Sequence, residues 1–196
     1  MNTMTEDVLQ WSERYLEPKN KHLGNVPVCP YAKQARIKKS YRILECHEHK
    51  ELIDTILKCI TLAKEPDVQI AIACCDDIEY EVEELIAIID TLNKVFVPQN
   101  IYLMASHPYD EEEDEPVEFL DTDEWQPDNE FVMVLVQKFD ELEKASDNLR
   151  KTGYYEHWPK DYYEGTVLKR QSYRRYAYDG HEKKNEKGRR RHEEKT

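Results

Sequence analysis

The run from Val68 to Cys75 (VQIAIACC) is apolar at every position but Gln69, and it has the length of a strand rather than a helix. A strand with no polar face needs cover on both sides, as central strands of α/β sheets have. The flanking sequence supplies helices for that purpose. In residues 49–64, Leu52, Ile53, Ile56, Leu57, Ile60 and Ala63 share one face, opposite Lys50, Glu51, Asp54 and Lys58. From about residue 79 to 96, Val82, Leu85, Ile86, Ile89, Leu92 and Phe96 repeat the pattern, with Asp76 or Asp77 placed to cap the helix start. Tyr41–Cys46 precedes the first helix, and Ile101–Ala105 follows the second after the Pro98-Gln99-Asn100 turn. Two successive β-α-β units are right-handed in nearly all known cases, so the three strands are expected to be parallel. Residues 131–139 (FVMVLVQKF) add a fourth strand. The expected fold is α/β: a mixed four-stranded sheet from successive β-α-β units, with helices packed on it.

The remaining segments are shorter or more polar. Thr5 to Glu17 reads as a helix ended by Pro18, Pro30 to Ile37 as a short helix, and Asp140 to Leu149 as a helix that stops near Gly153. Between strands three and four, residues 110–130 hold twelve Asp/Glu and no Lys, Arg or His. Such a run reads as a solvated loop, and its spacing matches no calcium loop. An aromatic stretch, Tyr154 to Tyr178, leads into a chain end without apolar residues that is expected to be disordered beyond Asp179. The domain reading is therefore one α/β domain over residues 1–165 and a basic aromatic tail over 166–196.

Charge divides along the same line. The formal net charge is −13, yet residues 166–196 carry +6, which leaves −19 on residues 1–165. A body so acidic repels nucleic acid, which makes that class of partner unlikely. No apolar stretch is long enough to cross a bilayer and the first residues lack signal-peptide character, so no membrane role and a cytoplasmic location are expected. Five cysteines, an odd number, fall within regular elements and are expected to be reduced. There is no Walker A, GxGxxG or GxSxG sequence and no CxxC pair. Nucleotide hydrolysis, a zinc ribbon and a thioredoxin site are set aside on that ground.

The polar residues with chemical potential gather where strands end. Cys46-His47-Glu48-His49, Cys74-Cys75-Asp76-Asp77 and Ser106-His107 each follow an apolar run, and parallel order places these ends on the sheet edge where α/β proteins bind ligands. In an extended backbone His47 and His49 face one way, so two imidazoles can hold iron, zinc or copper with a third ligand from His107 or Cys74. Ordinary helix capping explains the same residues. Cys74 and Cys75 point to opposite faces. Cys29, before Pro30, is expected at a helix N-terminus, where amides stabilise a thiolate; the competing reading is an apolar plug. His107, held extended by Pro108, is either a ligand or base toward Cys29 or a plain loop residue. The site expected is Cys29 and His107 as catalytic pair, with His47, His49, Cys29 and His107 as metal ligands.

Cys29-Pro30-Tyr31-Ala32-Lys33 and Ala105-Ser106-His107-Pro108, with Trp11 upstream and Leu135 to Ser146 downstream, resemble an uncharacterised bacterial domain family with CPFA and ASFHP motifs. Tyr31 stands where that family has Phe, and one residue fewer separates Ser106 from His107. The CPYA motif is also similar, more weakly, to that of haem-dependent N-oxygenase-like proteins. That similarity implies oxidative chemistry linked to a transition metal or haem. The expected function is a small enzyme acting on a small molecule at the sheet edge. The alternative is a non-catalytic assembly module that binds a protein partner through residues 110–130 or 150–196.

Overall fold

The computed structural model describes residues 3–77, 81–106 and 131–177. The chain opens with α1 (Met4–Trp11), which continues as a π-helical turn, Ser12–Leu16. A two-residue antiparallel ribbon, β1 (Lys19–Asn20) and β2 (Val26–Pro27), leads to α2 (Ala32–Ile37). Then come β3 (Tyr41–Cys46), α3 (His49–Leu62), β4 (Ile70–Cys75), α4 (Val82–Phe96), β5 (Ile101–Ser106) and β6 (Val132–Lys138). After α5 (Phe139–Lys151), the helices α6 (Lys160–Tyr163) and α7 (Lys169–Ser172) are joined by the π-helical Glu164–Leu168. The first helix expected over 5–17 is therefore α-helical only to Trp11.

The main sheet has the order β3-β4-β6-β5. β3 and β4 are parallel, and β6 is antiparallel to both β4 and β5. Thus β3, β4 and β5 run the same way, as the β-α-β pattern predicts, while β6 lies between β4 and β5. The sheet is the mixed four-stranded α/β sheet expected. Strand order had no signature in the sequence because β6 is as apolar as β4, and two such strands can exchange the central places without exposing either.

β4 is buried at every position and sorts its side chains by parity. Ala71, Ala73 and Cys75 pack with Leu52, Ile56 and Cys59 of α3 and Leu85 and Ile89 of α4. Ile70, Ile72 and Cys74 meet Val8, Met133 and Leu135, with Trp11 at the margin. Small residues thus sit under the two crossover helices, and larger ones fill the α1 side. α1 is oriented by hydrogen bonds at both ends. Its first turn donates from Thr5 N and Oγ1 to Glu45 at 2.7 and 2.6 Å, and Ser12 shares a proton with Tyr41 at 3.0 Å. Helix α1 therefore runs antiparallel to β3.

Residues 164–177 do not trail away as a tail. Glu143 on α5 is 8% exposed and binds Arg170, at 2.7 Å, and Arg174. Tyr173 packs with Val97, Tyr102 and Phe139 and donates its hydroxyl proton to Asp90 at 2.8 Å. The body thus continues past the 165/166 boundary read from the sequence. Arg170 and Arg174 look like part of a basic tail in the sequence, but Glu143 and Asp147 on α5 meet their charges. Residues 178–196 and the acidic stretch 110–130 lie outside the described residues.

Among the described residues no strand pairs with the outer side of β5, and a side chain closes it there. Asn93, 1% exposed, donates through Nδ2 to Leu103 O at 2.9 Å and accepts from Leu103 N at 2.8 Å. Removing this amide strands a buried N–H and a buried C=O together. Asn93→Ala is expected to lower stability by about 2–3 kcal/mol in urea unfolding; a loss under about 0.5 kcal/mol would show that Leu103 finds other partners.

Candidate functional site at the carboxyl ends of the strands

In-register pairing of β3 with β4 ends at Cys46 opposite Cys75. The next residues on each strand are His47 and Asp76, and they carry the pairing on in a different chemistry: His47 Nδ1 lies 2.9 Å from Asp76 Oδ2. Glu48 is extended, with φ −129° and ψ 133°, so His49 returns to the same side as His47. There His49 donates its backbone N–H to Asp77 Oδ2 at 2.9 Å and brings its own Nδ1 within 3.2 Å of that oxygen. Two consecutive carboxylates of one strand end thus hold two imidazoles of the next.

Sequence reasoning gave Asp76 and Asp77 to the wrong helix. α4 starts at Val82 with Glu81 as its N-cap, whereas Asp77 serves the first turn of α3. The signal that identifies these partners is the register: once β3 and β4 are parallel neighbours, residues 47 and 76 must be adjacent. Asp76 raises the His47 pKa, mainly through the hydrogen bond and then through its charge. His47 is open to solvent, with a side chain 70% exposed.

Cys29 is not at this edge. α1 passes from Thr5 beside Glu45 to Ser12 beside Tyr41 and on to Leu16, whose carbonyl accepts from Cys29 N at 2.9 Å. Cys29 is therefore placed beyond the amino end of β3, and six residues of strand, roughly 20 Å at ~3.3 Å per residue, separate that end from His47. The expected joint site of Cys29 with His47 and His49 is not formed, because α1 carries the Cys29 loop to the opposite pole. The two motifs that carry the family resemblance are parted in the same way, since Ala105 and Ser106 end β5 at the carboxyl edge. His107, proposed as base and ligand, lies outside the described residues. Among the described residues, no group of three or more His, Cys, Asp or Glu is placed to hold a metal ion.

The expectation for the Cys29 thiol is also reversed. The amides of Tyr31 and Ala32 do reach it and favour the thiolate, but burial outweighs them and raises its pKa. Its cover is the aromatic layer that follows α5. The Tyr154 hydroxyl lies 2.7 and 2.6 Å from the carbonyl oxygens of Pro27 and Val28, and Trp158 and Tyr162 pack against Leu23 and Val28. Gly24, at φ +71°, lies against the His157 ring, where a Cβ would fall 2.3 Å from a ring carbon. The plug reading of this loop fits these contacts. A shallow depression of about 450 Å³ opens beside it, lined by Arg150, Tyr155, Glu156, Trp158, Lys160 and Tyr163.

No family model matches the chain, and neither curated proteins nor solved structures provide a match. No described helix is long and apolar enough to cross a membrane.

Burial of Cys29 sets its reactivity. Iodoacetamide labelling of this thiol, followed by peptide mass mapping, is expected to reach half its maximal rate above pH ~8.5, the value of a free thiol. A midpoint below pH 8 would mean that the Tyr31 and Ala32 amides prevail over burial.

Proposed function

We propose that this chain is a small enzyme that binds a small molecule at the carboxyl edge of its sheet and transfers a proton there through His47. The observation that carries this reading is the 2.9 Å contact of His47 Nδ1 with Asp76. A carboxylate on Nδ1 fixes ring orientation and tautomer and makes the imidazole more basic, so proton transfer falls to Nε2. The raised pKa brings the ring toward the pH range in which a histidine works as both acid and base. His49, fixed by Asp77, and Ser106 at the end of β5 share that edge.

The oxidative, metal- or haem-linked version has less support. Its thiol belongs to the other pole, and the described donors at the edge come in imidazole–carboxylate pairs rather than as a set of three. The assembly-module reading is favoured by one observation, the aromatic depression beside Trp158. The two readings place the ligand at opposite ends of β3.

NMR on the full chain tests them together. His47 is expected to titrate above ~6.5, and Asp76→Asn to bring it back toward that value. The sign follows from linkage: the pair's contribution to stability is present in full below the unfolded pKa of ~6.5 and is lost as pH rises through the higher folded value. In a screen of small metabolites, ligands of the proposed enzyme perturb residues 46–49, 75–77 and 106. Hits confined to Tyr155, Trp158 and Tyr163 would favour the assembly reading, and joint broadening of His47 and His49 by Zn²⁺ would restore the metal version. An unchanged His47 titration in Asp76→Asn would remove the proton-transfer reading.

A further inference from the structure

We propose that Cys46 and Cys75, the last in-register pair of β3 and β4, form a reversible disulfide that makes the strand ends beneath His47 and Asp76 sensitive to peroxide. The two residues face each other across parallel neighbours. Neighbouring strands lie about 4.8 Å apart, within the ~4.4–6.8 Å between Cα atoms that a disulfide accepts. Both side chains enter the core on the α3 side of the sheet, and the Cys46 thiol donates to the carbonyl of Cys74, the residue before Cys75, at 3.4 Å. The competing thiols are placed less well: Cys74 is on the opposite face, and Cys29 is beyond the other end of β3. Cys59, on α3, shares the cluster but is not in strand register with either partner.

The chemistry balances with hydrogen peroxide as oxidant. Cys46, 4% exposed and next to solvent-facing His47, is the first to react; Cys75 is fully buried. The Cys46 sulfur attacks one peroxide oxygen, giving a sulfenic acid and one water. The Cys75 sulfur then attacks the Cys46 sulfur, the S–S bond forms as the S–O bond breaks, and a second water leaves. Two thiols lose two electrons and two protons in total, and peroxide is reduced to two waters. Burial raises both thiol pKa values. Oxidation is therefore slow at neutral pH and accelerates about tenfold per pH unit below the thiol pKa, in step with the thiolate fraction.

This inference is independent of proton transfer by His47. The test is peroxide treatment of the folded full chain, blocking of remaining thiols, and non-reducing peptide mapping. The expected product links the Cys46 peptide to the one holding Cys74 and Cys75, consumes two thiols per chain, reverts with dithiothreitol and moves the His47 resonance. Because Cys74 and Cys75 share a tryptic peptide, the variants assign the partner: Cys74→Ser retains the link and Cys75→Ser abolishes it. If Cys75→Ser does not fold, fragmentation of the wild-type linked peptide makes the assignment. A Cys46–Cys59 link, or Cys46 and Cys75 still free when Cys29 is fully oxidised, would overturn the proposal.

Discussion

Covering β4 is the constraint from which the rest of this structure follows. Six consecutive buried residues, Ile70 to Cys75, present apolar side chains to both faces and backbone groups to both sides. Each face needs helices, and each side needs a strand. β3 and β6 supply the strands, α3 and α4 cover the alanine side, and α1 covers the isoleucine side. A fully buried isoleucine contributes about 2–3 kcal/mol relative to exposure, so exposing Ile70 and Ile72 alone would remove about 4–6 kcal/mol, comparable to the stability of a small domain.

The same arrangement makes the two ends of the sheet chemically unlike. At the carboxyl ends, strands finish in polar residues that backbone pairing no longer uses, and adjacent strand ends bring imidazoles to carboxylates. The amino end of β3 is closed by the loop around Cys29, the π-helical end of α1 and the aromatic layer after α5. A thiol there is a packing group, since little solvent remains to stabilise its anion. Polarity along the strand direction, rather than any single motif, separates the polar end of β3 and β4 from the closed end of β3.

Electrostatics in the C-terminal layer work by local pairing. Arg170, only 5% exposed, would be costly without Glu143, and removing one member of such a buried pair typically costs about 3–5 kcal/mol. Asp90 plays the same part for Lys169 and Tyr173 on the surface of α4. Helices α4 and α5 and the segment Lys169–Arg174 are thereby joined into one body.

Periodicity in the sequence was enough to establish the helices over α3 and α4, the four strands, their common direction for β3, β4 and β5, and the opposite faces of Cys74 and Cys75. These features depend on side-chain spacing along one segment, which a linear chain carries in full. It also placed His47 and His49 on one side, because a single extended residue between them decides that. Tertiary structure alone decided that β6 separates β4 from β5, that Asp76 and Asp77 answer to His47 and His49, and that Glu143 gathers Arg170 and Arg174. It also decided that Cys29 stands at the far pole. Each of these depends on which distant segments become neighbours and on how much water is left around a group, and neither quantity is written in the spacing of residues along the chain.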